Sequence, residues 1–301
     1  LRQAGVKEMI VILGGACEES VREAVRCGAS QAVYQPEMLF ELEDEAKKLG
    51  TTAKAHLKVD TGMTRIGARG DGALNALLDV WKKCPHVEME GIFTHFCVAE
   101  NDPEFTRLQN ERFERAIRIV RAAGYQPIAH AAASSAMLNP EYQHDMVRAG
   151  VALYGGGMPE VEELKFAQTL ISTPVRMETI EPGDTVGYGR TFTASRKTRV
   201  MTIPIGYGDG YPRLLGNRAE VLIRGKRAPV IGNVCRDMLM AEVTDIPEAQ
   251  MGDSVVLMGA QGDDRITPDE LAEKAETIGY EIMLGYSARV PRVYADEREE
   301  R

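Results

Sequence analysis

No run of apolar residues approaches the ~18 that a membrane-spanning helix needs; the longest strand-like run is Met9–Leu13. No basic stretch precedes a short hydrophobic one, so no signal peptide is expected. The five cysteines are odd in number, far apart and never in a CxxC pair. That argues against a disulfide framework or a structural zinc site, and predicts buried, reduced thiols in a cytoplasmic protein. The five histidines form no HxH or HExxH pair, so no metal centre is expected; a lone histidine at a strand end reads first as a hydrogen-bonded core residue. Basic residues are outnumbered 36 to 45, a net charge of −9. Neither nucleic acid nor an anionic membrane is an expected partner, since both need basic patches. Repeats and low-complexity segments are missing too. The first residue is Leu1 rather than Met, and the chain is expected to begin inside a longer protein.

What is present is ordinary globular composition, 44% apolar and 27% charged over 301 residues, enough for two domains. The first half alternates short β-branched runs with segments of helical period. Strands are predicted at Met9–Leu13, Ala32–Tyr34, Ala53–Val59, Met89–Phe93, Ile128–Ala132 and Met146–Ala152. Helices are predicted at Glu18–Cys27, from Pro36 to Leu49, at Gly72–Cys84 with Leu74, Leu77, Leu78 and Trp81 inward, and at Phe105–Ala123 with Phe105, Leu108, Phe113, Ala116, Ile117 and Val120 inward. Such repetition means βα units and a parallel sheet. Six strands fall two short of a closed (β/α) barrel. An open doubly wound sheet is the alternative, yet its glycine fingerprint does not follow the first strand.

Beyond Pro159 the texture becomes short β-rich segments broken by glycine: Thr169–Glu178, Arg199–Ile205, Ala219–Ile223 and Ser254–Met258. One helix is expected, Pro268–Ile278, with Thr267 as its cap and Glu270 completing a capping box. The expected division is therefore 1–157, an α/β domain, and 158–301, a mainly β domain, with a solvated charged tail at Ala295–Arg301.

Catalytic groups of barrels sit where the strands end. Those positions offer Lys58 to Arg65, Thr94-His95, Ser134-Ser135 and Arg148-Ala-Gly150. Cations, a histidine, a hydroxyl pair and a glycine N–H suit a small anionic, phosphorylated ligand. Gly206-Tyr-Gly-Asp-Gly210 looks glycine-rich, but Pro212 follows and no helix opens there, so it reads as a tight loop rather than a phosphate cradle.

Six segments, in order, carry a resemblance. Leu57-Lys-Val-Asp-Thr-Gly-Met-Thr-Arg-Ile-Gly67, Gly91-Ile-Phe-Thr-His-Phe96, Met146-Val-Arg-Ala-Gly-Val-Ala-Leu-Tyr-Gly155, Val186-Gly-Tyr-Gly-Arg-Thr-Phe192, Ile203-Pro-Ile-Gly-Tyr-Gly-Asp-Gly210 and Arg289-Val-Pro-Arg-Val-Tyr294 resemble alanine racemase. The resemblance implies an α/β, TIM-type (β/α)8 barrel, here incomplete with about six strands, followed by a mainly β domain. It also implies pyridoxal 5'-phosphate as cofactor, a small amino-acid substrate and a homodimer with shared active sites. Two bases must flank one Cα in such a reaction. Tyr188 matches the tyrosine base contributed by the partner subunit. His95 matches its hydrogen-bond partner and Arg148 the arginine facing the pyridine nitrogen. Ser134, Gly150 and Val151 match phosphate contacts. Arg65 matches a substrate-side arginine and Lys58 a position that can be carbamylated to hold it. Tyr207 lies in the wall of the entrance channel and Arg236 where a backbone N–H meets the substrate carboxylate. Asp237 and Arg213 match supporting positions.

Departures are as informative. No lysine of the chain matches the Schiff-base lysine of the family's first barrel strand, so the chain as given is expected to be inactive and, with two unpaired sheet edges, poorly soluble alone. Ala133 stands for an asparagine, Arg236 for a methionine and Ala288 for a larger residue. A broader racemase accepting serine or acidic amino acids, and a non-catalytic binding remnant, are the alternatives these changes raise. A transport-coupled racemase domain behind a membrane segment is another, and a zinc-dependent hydrolase fits only loosely.

Overall fold

The structure, a computed structural model, describes residues 1–15, 17–156, 161 and 164–295. It divides into two compact units, Leu1–Gly150 and Val151–Arg301. The boundary expected near Gly157 and nearly all of the charged tail lie outside the described residues.

The first unit runs β1 (Val11–Ile12), α1 (Glu18–Arg26), β2 (Ser30–Val33), α2 (Pro36–Leu49), β3 (Ala53–Asp60), β4 (Ala68–Arg69), α3 (Gly70–Trp81), β5 (Val87–Phe93), α4 (Pro103–Ala122), β6 (Ile128–Ala133), α5 (Pro140–Gln143) and β7 (Met146–Arg148). All pairings are parallel, in the order β1-β2-β3-β5-β6-β7, with β4 appended to β3. This is the incomplete barrel expected from the sequence, its strands in chain order. Helix boundaries follow local chemistry. Pro36 and Pro103 occupy first-turn positions, where a missing N–H costs nothing, and Asp102 caps α4 by accepting from the N–H of Phe105 at 2.9 Å. Leu74, Leu77, Leu78 and Trp81 of α3 are all buried against the sheet.

Three expectations for this unit need correction. Phe105 and Leu108 do not face the core: Leu108 is exposed, and polar Thr106, Gln109 and Asn110 turn inward instead. Gln109 is wanted there by the loop above it, as shown below. The last strand stops at Arg148, and Val151–Tyr154 is a 3-10 turn. Of the five thiols, which are all free, only Cys84 is buried; Cys17 flanks α1 and Cys97 lies on the loop after β5, both exposed.

The second unit holds β8 (Leu170–Ser172), β9 (Arg176–Ile180), β10 (Thr185–Val186), β11 (Phe192–Thr193), β12 (Thr198–Ile203), β13 (Glu220–Ile223), β14 (Lys226–Ile231), β15 (Leu239–Glu242), β16 (Val255–Gln261), β17 (Asp264–Ile266), α6 (Pro268–Lys274) and α7 (Gly279–Leu284). Its pairings are antiparallel, and eight strands form one sheet in the order β17-β16-β13-β14-β15-β12-β9 with β8 on β16. The single helix expected here is two. Thr267 caps α6 by accepting from the N–H of Glu270 at 3.0 Å, but the Glu270 carboxylate turns to Arg227 and Lys274 rather than back to the cap. The chain then breaks at Glu276, whose φ of 56° ends the helical path. Among the described residues, no helix is long and apolar enough to cross a membrane.

Candidate active site

Parallel strands deliver their ends to one face, and in the first unit that face collects charge. Thr94, fully buried after β5, donates to the carbonyl of Val59 at 3.0 Å and pairs with the Thr61 hydroxyl at 2.8 Å, tying the ends of β3 and β5 together. Asp60 accepts from the N–H groups of Gly62 and Thr64, both at 3.0 Å, which shapes the loop that leaves β3. Burial opposes ionisation of Asp60, but those two donors hold it below the usual carboxylate range.

Arg148 is the centre of the cluster. Its guanidinium donates to His130 Nδ1 (2.8 Å), to the carbonyls of Ala131 (2.8 Å) and Thr94 (2.9 Å), and to His95 Nδ1 (3.2 Å). It also lies 5.6 Å from the centroid of the Phe93 ring. Burial lowers it to about 10, so it keeps its charge at neutral pH. Lys58 is buried beside it, its Nζ donating to the carbonyl of Val59 at 3.0 Å and lying 5.1 Å from the Phe93 centroid. Desolvation, then the charge of Arg148, brings Lys58 down to about 7, so much of it is a neutral amine under physiological conditions. His95 is lowered to about 4, first by burial and then by Arg148, Arg65 and Lys58. It is a neutral ring. Since Nδ1 faces a guanidinium that can only donate, the His95 proton sits on Nε2.

Among the described residues, no carboxylate pairs with Arg148 or Lys58. A buried cation without a counter-ion is costly, and the arrangement suits an anionic ligand. At the ends of β6 and β7, the Ser134 hydroxyl accepts from the N–H of Gly150 at 2.9 Å. A serine hydroxyl and a glycine backbone brought side by side at two strand ends are polar groups of the kind that line a phosphate site. The residues therefore suit a small phosphorylated anion. Arg65 stands exposed on the loop after β3, near enough to Lys58 and His95 to act on their charge. Gln109 is a site residue that the sequence did not reveal as one. Its amide accepts from the N–H of Cys97 (3.0 Å) and donates to Thr61 Oγ1 (3.2 Å) and the carbonyl of His95 (3.3 Å), so it sets the loop carrying His95. The signal available was a polar side chain on the apolar stripe of a long helix. A separate cavity of about 350 Å³ is lined by Arg69, Arg112 and Arg115, but Arg115 is paired with Asp71 and Arg112 donates to the Thr61 carbonyl.

In the second unit Val151 is buried at the start of its 3-10 turn. Tyr188 projects from a turn whose neighbours Gly187 and Gly189 have φ of 71° and 76°, values that favour glycine. Its carbonyl accepts from Asn233 Nδ2 at 2.7 Å, and its side chain is 74% exposed. The Gly206–Gly210 segment is the tight loop expected: Asp209 Oδ2 accepts from the N–H of Gly206 at 2.9 Å, and a Cβ on Gly206 would lie 2.2 Å from the carbonyl oxygen of Cys235. Through that packing Tyr207 and Gly208 donate to the carbonyls of Cys235 and Arg236. Arg236 in turn donates to Asp237 at 2.9 Å, and Arg289 binds Asp237 at 2.8 Å and Asp209 at 3.3 Å. Arg236, Tyr207 and Tyr188 are close enough to interact electrostatically, whereas Arg213 stands exposed on the next turn. Among the described residues, no group of three metal-ligating side chains could hold an ion.

A strand-end cluster of buried cations on an incomplete parallel barrel, in a chain with an antiparallel β unit, is the arrangement of a barrel-based protein suited to small anionic ligands. Comparison with known proteins narrows the class. The family described as Alanine racemase, N-terminal domain, matches residues 1–158, and Alanine racemase, C-terminal domain, matches residues 167–294. The alanine racemase of Symbiobacterium thermophilum is 42% identical over 304 aligned positions, covering 99% of this chain and 80% of that protein. Among solved structures, alanine racemase from Bacillus anthracis with bound L-Ala-P superposes with a TM-score of 0.87 at 33% identity, over 98% of this chain and 78% of that one. Alanine racemase from Streptomyces coelicolor gives a TM-score of 0.92 at 28% identity, over 98% and 80%. The chain belongs to the alanine racemase family.

Proposed function

We propose that this protein is an amino-acid racemase that interconverts L- and D-alanine with pyridoxal 5'-phosphate, serving D-alanine supply for peptidoglycan in the cytoplasm. The supporting observation is the Arg148 guanidinium, fixed by four acceptors and left without a counter-ion among the described residues. Residues 1–157 are assigned the cofactor and 158–301 the tyrosine base. Pyridoxal phosphate, when bound, supplies the electron sink that lets a Cα proton leave. Ser134, Gly150 and Val151 would hold its phosphate, and Arg148 would serve its ring nitrogen. Because arginine does not give up its proton, it would leave that nitrogen unprotonated and so restrain side reactions.

Tyr188 moves the proton on one face of Cα, acting in the partner's site of a homodimer. His95, its Nδ1 engaged by Arg148, has Nε2–H to donate to the phenolic oxygen and so favours the charged form. Arg65 lies on the substrate side. The neutral amine of Lys58 is the form that carbamylation requires, and so modified it would brace Arg65. Tyr207 and Arg236 border the entrance, with Asp237 fixing Arg236 and Arg213 in support.

The lysine that serves the opposite face in this reading is not among residues 1–301, so this polypeptide alone is proposed to bind the cofactor without turnover. The test joins the leading segment of the Symbiobacterium thermophilum relative to Leu1. The fusion should convert L- to D-alanine while residues 1–301 do not; an inactive, folded fusion or an active 1–301 chain contradicts the reading. The exposed guanidinium of Arg236, tied to Asp237, supports a second reading, a site open to serine or acidic amino acids. Arg236→Met in the fusion should then lower turnover of glutamate relative to alanine, and an unchanged ratio rejects it.

A further inference from the structure

Arg148 has no carboxylate at hand, yet one is connected to it. His130 Nδ1 accepts from the guanidinium at 2.8 Å, so this buried ring carries its proton on Nε2. That nitrogen lies 2.8 Å from Nδ1 of His56, which must accept, and the His56 proton falls on its own Nε2. His56 Nε2 is 3.2 Å from Glu90 Oε2. Glu90 also takes Lys54 at 2.6 Å and the hydroxyl of Ser30. Burial opposes the Glu90 charge, but these donors outweigh it and hold the carboxyl below its usual range. The wire thus runs in one direction, guanidinium to imidazole to imidazole to carboxylate, with a fixed donor at one end and a fixed acceptor at the other.

The backbone is shaped for it. Ala55 pairs with Met89 and His56 with Gly91, so Glu90 is the extra residue of a β-bulge in β5. A bulge re-aims a side chain, and beside active sites it often does. Gly91 makes the room, since a Cβ there would lie 2.2 Å from His56 Nδ1. Phe93 stacks on His130 at 4.9 Å with the rings 1° from parallel, which fixes the second ring.

We infer that Glu90 is the positioning residue of this site: through His56 and His130 it orders the hydrogen bonds that aim Arg148 at the ligand. The inference deepens the reading of Arg148 given above and shares its cofactor, but the wire can be tested without catalysis. Histidine ring-nitrogen NMR of residues 1–301 at pH 7 should show both His56 and His130 as Nε2–H tautomers. An Nδ1–H tautomer for either ring overturns the inference without any variant. Glu90→Ala should leave both tautomers in place, since Arg148 fixes them from the other end, but should shift the His56 Nε2 resonance, which loses its carboxylate acceptor. It should also weaken pyridoxal 5'-phosphate, followed by fluorescence titration, about tenfold, as for one lost charge-assisted partner. Glu90→Gln keeps an acceptor oxygen, so it should return the His56 Nε2 resonance toward its parent position and leave affinity only about threefold below the parent. An unchanged His56 Nε2 resonance and unchanged affinity in Glu90→Ala, with only a lower melting temperature, overturn the inference; if that variant does not fold, parent affinity in Glu90→Gln does so. A parent that shows the tautomers but binds no pyridoxal phosphate refutes the proposed function and leaves the wire standing.

Discussion

In the parallel unit, Lys58 and His130 are buried and Arg148 nearly so, each fixed by side-chain or carbonyl partners from a neighbouring strand or its own. In the antiparallel unit, Tyr188 and Tyr207 are 74% and 48% exposed and are held through their backbone, the Tyr188 carbonyl accepting from Asn233 Nδ2 and the Tyr207 N–H donating to the Cys235 carbonyl. The contrast follows from topology. Parallel strands all end on one face, so groups from several strands converge there and desolvate one another. Antiparallel strands end alternately at both edges, and what their loops carry is presented to solvent. The first arrangement tunes protonation; the second offers a group to another surface.

The largest expected effect separates the two roles. In the fusion, Tyr188→Phe should reduce racemisation by about 10²–10⁴-fold, the range for a lost acid–base group, with no change in the melting curve because the hydroxyl is exposed. A change of less than tenfold would detach Tyr188 from the chemistry. Next is Lys58. Its folded pKa, about 7, lies below the value near 10.5 of an exposed lysine, so the unfolded chain binds more protons between those limits. Stability should therefore rise with pH across that window, and the full cost is present below it. Lys58→Met should stabilise the protein at pH 7 by roughly 2–4 kcal/mol in urea unfolding, at about 1.4 kcal/mol per unit, and the advantage should shrink by pH 10. A pH-independent difference would show that Lys58 is not desolvated.

Gly91→Ala adds a methyl group against His56 and should cost about 1–3 kcal/mol, the range for overpacking; a neutral result would mean the ring has space to move. The smallest effect belongs to the antiparallel unit. Arg227 binds Asp264 at 2.8 Å and Glu270 at 2.7 Å while remaining partly exposed, so Arg227→Met should cost about 1 kcal/mol or less. A loss comparable to that at Gly91 would erase the contrast between the units.

Local signals carried much of the fold into view. The α3 stripe and the Thr267 cap depend on residues within a turn or two of each other, and the strands of the first unit lie in chain order because short βα connections bring successive strands together. The second unit was less legible. β14 reads Lys-Arg-Ala-Pro-Val-Ile, and a proline argues against a central strand. Here Pro229 sits where β14 passes from pairing with β13 to pairing with β15. At the site, Lys58, His95, Ser134 and Arg148 could be read from their positions at strand ends. The Arg148–His130–His56–Glu90 wire could not, because it depends on the register of β3, β5 and β6 and on a bulge that moves Glu90 out of alternation. Gln109 was hidden for a similar reason: its partners Thr61, His95 and Cys97 come from two other loops.

The central claim is that the strand-end cations form a cofactor site organised by Arg148. Titration of residues 1–301 with pyridoxal 5'-phosphate, alongside Arg148→Lys, tests it most directly. The parent should bind saturably, and the lysine variant, which keeps the charge but loses the fork, should bind at least about tenfold more weakly. No saturable binding by the folded parent, or equal affinity in the two proteins, would contradict it.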